Sequence, residues 1–476
     1  MIEKYYDGAI EQVAAGLGTV EKNHLLVRYS GQFSVENLND TKQLEKNEDI
    51  FVQVHEFETG EITCAYEPYL TMICDGFRRY MTGTFEEFME TCDVYYLHRP
   101  VLLGYFNQDN TGREEIILLD EVAYEQERML TALERMLCAI ADRHPVLFVL
   151  NRFQLASKST MQLTARFLKC ENCNIGLVLG VSDIQAMPEF LVPDWEMLYE
   201  TLDDGSKIYH IGNSGRKKEE TIDDEKYVDY GSEKVYRKLQ NMVEFLDFDQ
   251  AAYYLETIER KIKFDNLLVD DAARFRMWLL FVKVSILRQD IPKALEICED
   301  LEKIHLAGKE EECAYEQDYL IATAYMYQGK LKEALEMAGE TYRIAGKMSD
   351  DYRMFLSELL EAKIQMSGWY NIFFCAQDVK IKESLIQNLI RYNYRNHLAH
   401  VYIYAYDNKP EIVKKANQSE ELLIYFSRGI RIAKKLGNEY LINMAYQKNI
   451  MLSSTNGMYE ISLLYSVRTY EALKDK

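Results

Sequence analysis

The chain has 476 residues, enough for about three domains at roughly 150 residues each, or two with one of them extended. Its 55 Lys+Arg against 77 Asp+Glu leave a net charge of −22, a field that repels phosphate backbones and makes the whole chain a poor non-specific nucleic-acid binder. A hydrophobic content of 48% with 12% aromatics excludes a disordered chain, and only 7 Pro and 23 Gly favour long helices over many short strands and turns.

The first residues, Met1–Asp7, show no basic stretch followed by an apolar run, so no secretory signal is read there. Up to about residue 213, short β-like runs alternate with helical stretches, the pattern of an α/β domain. His24–Ser30 and Asp49–His55 are rich in branched residues and read as buried strands. Helices are predicted at Leu70–Met81 and Phe85–Thr91. A long one over Glu121–Asp142 carries Met129, Leu130, Leu133, Met136 and Leu137 close to the helical period. Val146–Leu150 and Ile175–Leu179 are apolar throughout, which predicts parallel strands covered on both faces, with a helix over Thr160–Lys169 between them. Cys170 and Cys173 form a C-x-x-C, but no second Cys or His pair follows at zinc spacing. They read as ordinary thiols, and the 9 scattered cysteines fit a reducing cytoplasm. A last strand, Lys207–Ile211, precedes Ser214–Glu225, a charged and aromatic-poor stretch that is the best linker in the chain. The longest apolar stretches, such as Pro145–Leu150 and Ile175–Val181, are far too short to span a bilayer.

From Tyr227 onward nothing reads as a strand, and amphipathic helical segments recur in pairs. In Tyr319–Ala345 the residues Ala322, Tyr325, Gly329 and Ala334 fall at the spacing small-x-x-aromatic-x-x-x-Gly-x-x-x-x-Ala. The two alanines let antiparallel helices approach closely, Tyr325 fills the angle between them, and Gly329 tolerates the turn. This unit resembles the tetratricopeptide repeat. Ser285, Gln289 and Ala294 keep the register without the glycine, and Asp247 with Ala252 suggests an earlier copy. Further copies run through Tyr352–Gln365 to a break at Ser367-Gly368-Trp369, and from Gly429–Gly437 through Leu441–Leu452 to Asn456-Gly457. In the sharp unit Ala338 faces the partner helix, whereas Lys332 and Glu336 are expected to be exposed.

Val146–Ser159 (VLFVLNRFQLASKS) resembles the Walker B strand and following loop of the signal-transduction ATPases with numerous domains, a group of P-loop proteins. Val146–Leu150 supplies the strand, Gln154 and Ala156 match the loop, and Ser159 matches the residue opening the next helix. His24–Ser30 matches the first strand, ending at Gly31, and Pro68-Tyr69 the Pro-aromatic after the second strand. Ile175–Asp183 falls in the sensor-strand position. The resemblance implies a nucleotide site, yet its chemistry is missing. A P-loop uses glycines, a Lys and a Ser/Thr around phosphates and Mg²⁺; here the second glycine, the Lys and the Ser/Thr fall on Glu36, Asn37 and Leu38. Asn151 and Arg152 stand where the Mg²⁺-holding and water-orienting carboxylates belong. An amide is a weak Mg²⁺ ligand and a guanidinium cannot act as a base. Gly31, Glu36, Asn37, Asn151 and Arg152 thus mark a vestigial nucleotide site, with no cofactor expected.

Other constellations read as structure. His397 and His400 share a helix face without a metal partner placed by the sequence, and the acidic groups at Glu86, Glu87 and Glu90, Glu219 and Glu220, and Asp350 and Asp351 read as solvated faces and linker.

The expected fold is a mainly helical chain: an α/β P-loop-like domain over 1–213 with a parallel sheet and flanking helices, a charged linker over 214–229, and an all-α tetratricopeptide-like solenoid over 230–476. The leading function is a non-catalytic signalling scaffold in the cytoplasm, a pseudo-ATPase whose helical repeats receive a protein or peptide partner, with no direct nucleic-acid or membrane binding. The partner face is expected at Tyr319, Thr323 and Tyr327, with Arg276 and Lys283 on the preceding unit. Two alternatives stand beside it. One is the sensory part of a longer bacterial regulator whose output domain, a diguanylate cyclase or a helix-turn-helix DNA reader, is absent here. The other is an active ATPase with an unorthodox phosphate site.

Overall fold

The computed structural model describes residues 2–17, 24–29, 50–58, 61–109, 113, 115–170, 174–182, 187–203, 207–211, 229–265, 267–366, 383–404, 427–455 and 457–474. The chain is an α/β region followed by paired helices. It divides into two compact units, one of residues 1–94, 98–112 and 125–269, the other of 95–97, 113–124 and 270–476.

In the first unit five parallel strands, β1 (Leu25–Tyr29), β2 (Phe51–Glu56), β3 (Val146–Asn151), β4 (Ile175–Ser182) and β5 (Lys207–Ile211), lie in the order β2-β3-β4-β1-β5. β3 and β4 are buried at every position, as expected for continuous apolar runs inside a parallel sheet. Alternation assigns the two faces. Leu147 and Val149 join Leu25, Val27 and Val178 under Ala9, Ile10 and Val13 of the helix Ile2–Gly16. Gly176 permits that approach: a Cβ there would stand 2.6 Å from the Val13 side chain. On the other face the Phe148 ring meets Tyr69, 4.7 Å away, which also touches Phe167 and bonds Thr164 Oγ1 at 2.6 Å.

Local signals explain the boundaries. The helix Phe85–Thr91 begins with a reciprocal cap in which Thr84 Oγ1 accepts the Glu87 N–H and Glu87 Oε2 accepts the Thr84 N–H. Helices Ile2–Gly16, Arg99–Asn107 and Val192–Asp203 were not among the sequence expectations. Helices Glu233–Glu244 and Phe248–Phe264 belong to the first unit, a different division from the expected 213/230 boundary. Their tie is electrostatic as well as apolar: Asp247 accepts the Ser159 N–H at 3.0 Å, and the Lys158 ammonium meets Asp249 at 2.5 Å. Lys238 reaches Glu61 at 2.7 Å. The linker stretch Ser214–Glu225 lies outside the described residues.

The second unit contains the pairs Asp271–Leu287 with Ile291–Leu301 and Glu310–Gln328 with Leu331–Met348, then Asp351–Met366, Glu383–Arg391, Arg395–Tyr404, a helical segment over 427–436, Glu439–Thr455 and Tyr459–Leu473. Ala322 and Ala334 are fully buried in one cluster with Leu331, Ala338, Leu360 and Ile364, and Tyr325 packs against it. Gly329 ends the helix Glu310–Gln328 at φ 81°, a left-handed conformation that a side chain would strain. The break at Ser367-Gly368-Trp369 and Asn456 lie outside the described residues, while Gly457 stands at φ 72°.

Ala334→Leu adds three carbons to this closed helix pair and is expected to destabilise by about 1–3 kcal/mol. Exposed Glu336→Ala should shift stability by less than about 0.5 kcal/mol. Urea melts of the full chain read both, and equal midpoints for the two variants would reject the packing argument.

Candidate functional site

In parallel sheets, ligands bind beyond the carboxyl ends of the strands, where the strand order reverses. Here β1 leads away to β2 on one side, whereas its neighbour β4 leads to β5 on the other, so the reversal falls between them, at the level where Tyr29 pairs with Ser182. Tyr29 donates its hydroxyl to Asn151 Oδ1 at 2.7 Å, and both residues are buried. Burial pushes the Tyr29 phenol up to about 12, against the pull of the Arg152 charge. Arg152 Nε stands 3.4 Å from Glu56 Oε1. Gln154 clamps the end of β4, donating to the Ser182 carbonyl at 3.1 Å and accepting its N–H at 3.3 Å. Arg152 takes φ 52°, a left-handed conformation uncommon outside glycine and asparagine. The Asn151 amide is thus engaged by a phenol, and the Arg152 guanidinium beside it stands against a carboxylate. Gly31, Glu36 and Asn37 lie outside the described residues.

The second unit holds a buried polar group. Residues 113–124 belong to this unit and bring Glu115 and Glu121, 1% and 0% exposed, to the start of the helix Arg395–Tyr404. Glu115 accepts the backbone N–H of His397 at 2.7 Å and of Asn396 at 3.3 Å, the Tyr96 hydroxyl at 2.6 Å, and contacts His397 Nδ1 at 2.6 Å. The first N–H groups of a helix lack internal partners and favour an anion. Glu121 Oε2 receives the side-chain amides of Asn438 at 2.8 Å and Asn396 at 3.2 Å. Burial raises the Glu115 carboxyl to about 7 even though Tyr96 and the two N–H groups favour its charge. Lys363 stands near enough to Glu115 and Asp120 to feel both, yet loss of water lowers its ammonium to about 8. Burial also holds His397 and His400 well below the usual imidazole range, so both rings are neutral near pH 7.

No protein-family model matches the chain. No curated protein matches it. Its fold was compared with solved structures as well. One similar structure is the signal transduction ATPase with numerous domains (STAND) protein with a tetratricopeptide repeat sensor from Pyrococcus horikoshii, at 10% identity and a TM-score of 0.40, covering 94% of this chain and 81% of that one. The overlap is loose, and nothing about activity follows from it.

The residues expected on a partner face fall in separate settings. Arg276 and Lys283 are exposed on the helix Asp271–Leu287. Tyr319 is half-buried, its ring 6.0 Å from Tyr315, and Thr323 donates its hydroxyl to the Tyr319 carbonyl at 2.8 Å. Tyr327 is 36% exposed, and partial burial together with the Asp120 carboxylate raises its hydroxyl. The sequence placed no acidic partner beside His397; the structure places Glu115 there, 282 residues earlier in the chain. The available signal was an Asn-His pair opening a helix and an Asn after Gly437, polar residues set among apolar ones. His400 stacks on Tyr404 at 4.1 Å. Among the described residues no cluster of His, Cys, Asp and Glu fits a metal ion, and no helix is long and apolar enough to cross a membrane. Cys170 is half-buried, and Cys173 lies outside the described residues. A cavity of about 430 Å³ in the first unit is lined by Asp75, Arg78, Arg237 and Glu244 among others. Its charges are matched locally, Arg78 on Asp75 at 3.3 Å and Arg237 on Glu233 at 3.3 Å.

Proposed function

We propose that the chain is a non-catalytic scaffold: an α/β unit without the groups for phosphoryl transfer, joined to helical pairs that receive a protein partner. The observation that carries the first half is the engagement of Asn151 by Tyr29 and of Arg152 by Glu56 at the carboxyl edge of the sheet. Phosphoryl transfer needs a carboxylate to hold Mg²⁺ and another group to orient the nucleophile. The amide is a poor substitute for the first, and the guanidinium cannot perform the second. The second half rests on the paired helices, whose stacked surfaces offer extended faces to other chains.

Titration calorimetry of the full chain with ATP and Mg²⁺ tests the nucleotide claim. No one-site isotherm is expected in the micromolar range, and no phosphate release from ATP or GTP. A clean one-site isotherm would overturn the scaffold reading in favour of an active or sensing ATPase.

A further inference from the structure

Residues 116–118 carry no regular structure, and Leu119–Glu121 form a single 3-10 turn at the head of the helix Val122–Ala141. Glu115 sits on the N-terminus of the helix Arg395–Tyr404. Ile116 packs into the apolar cluster of Phe355, Leu359, Tyr394 and Leu398. Burial lowers the Lys363 ammonium and raises the hydroxyls of Tyr404 and Tyr440, and the Asp120 carboxylate acts on all three, opposing the first shift and adding to the others. Glu121 takes the amides of Asn396 and Asn438. The receiving surface is therefore complementary in both respects: N–H donors, amides and the Lys363 ammonium for the acids, and an apolar cluster for the aliphatic residue between them. His397 is 1% exposed, and its Nε2 has no hydrogen-bond partner among the described residues.

We propose that the helices Asp351–Met366, Arg395–Tyr404 and Glu439–Thr455 form a binding groove for an acidic peptide of a partner protein, and that residues 115–121 fill it as an internal stand-in for that peptide. The occupant has a Glu followed by a branched aliphatic residue and an acidic pair further along, set in a single helical turn. This rests on the scaffold reading above and specifies its partner. A tethered segment competes at an effective concentration in the millimolar range, so an external peptide engages the intact chain weakly and gains when the internal segment is loosened.

The test uses the full chain and a fluorescent peptide with the sequence of residues 113–124 as the probe, read by anisotropy. Parent protein is expected to bind it weakly. The double variant Glu115→Ala, Glu121→Ala should bind it about tenfold more tightly or better, as expected when an internal competitor is removed. Adding Lys363→Met to that variant should abolish the gain. A control peptide with Gln at the positions of Asp120 and Glu121 should not bind. If the double variant folds and binds no better than the parent, or binds the Gln peptide equally well, the proposal fails. If the double variant does not fold alone, the acidic peptide added in trans should restore its helical circular dichroism, and failure to do so overturns the proposal too. The nucleotide titration is independent of this outcome: a failed peptide test with no ATP binding removes the groove and leaves the scaffold reading standing.

Discussion

Asn438→Leu is expected to destabilise the protein by roughly 3–5 kcal/mol, the range for removing a partner from a buried charge. The Asn438 side chain bonds at both ends: its amide donates to Glu121 Oε2 and to Asn396 Oδ1, each at 2.8 Å, and to the Tyr95 hydroxyl at 3.4 Å, while its Oδ1 caps the next helix by accepting the Leu441 N–H at 3.1 Å. A lost cap alone costs about 1 kcal/mol; the larger part comes from weakening the shell of donors around a fully buried carboxylate. Asn438→Asp separates the two contributions. Aspartate keeps the cap and sets a second carboxylate against Glu121, so it should be as harmful as leucine at pH 7. Urea melts of the full chain decide the matter, and a benign Asn438→Asp would assign the residue's role to capping.

Glu115→Gln should change how stability depends on pH. The folded-state value of Glu115 is raised to about 7, so its favourable contribution is complete below the ordinary carboxyl value and is lost as pH climbs through about 7. The glutamine variant has no such loss. Relative to the parent it should gain about 3 kcal/mol between pH 4.5 and 7.5, taking 1.36 kcal/mol for each unit of displacement. The facing groups are Tyr96, His397 and Lys363. Lys363 is lowered to about 8, so its own contribution changes only above the window, being lost as pH falls from the ordinary lysine range through about 8. Burial lowers His397 and His400 well below 6.5, so their contribution is lost as pH falls. The difference between the two melt curves therefore reports on Glu115 together with the His397 ring it contacts. A constant difference across this range would show that its carboxyl titrates normally.

Much of the sheet was legible because its signals are local. The apolar runs of β3 and β4, the Thr84 and Glu87 pair before Phe85, and the small residues at Ala322 and Ala334 each declare a structure within a few residues. Helices Arg99–Asn107 and Val192–Asp203 gave weaker signals, being short and opened by Pro100 and Pro193, which read equally as loop. The polar group around Glu115 could not be read at all. Glu-Ile-Ile-Leu-Leu-Asp-Glu has neither the strand period nor the helical one, and what buries its acids is a set of amides and N–H groups hundreds of residues away. At the sheet edge, Asn151 and Arg152 were visible at the end of an apolar run, but their engagement by Tyr29 and Glu56 depends on strand order, which no local pattern specifies.

The long separation has a consequence for how the chain is made. Glu121 meets Asn396 across 275 residues and Asn438 across 317. Chains leave the ribosome at about 5–20 residues per second, so the acids wait roughly 15–60 s in water before their donors exist. During that interval Ile116 and its aliphatic neighbours are also without their apolar cluster. Closure of this polar group is a late event, in which helices made some 275 and 317 residues later close over carboxylates already synthesised.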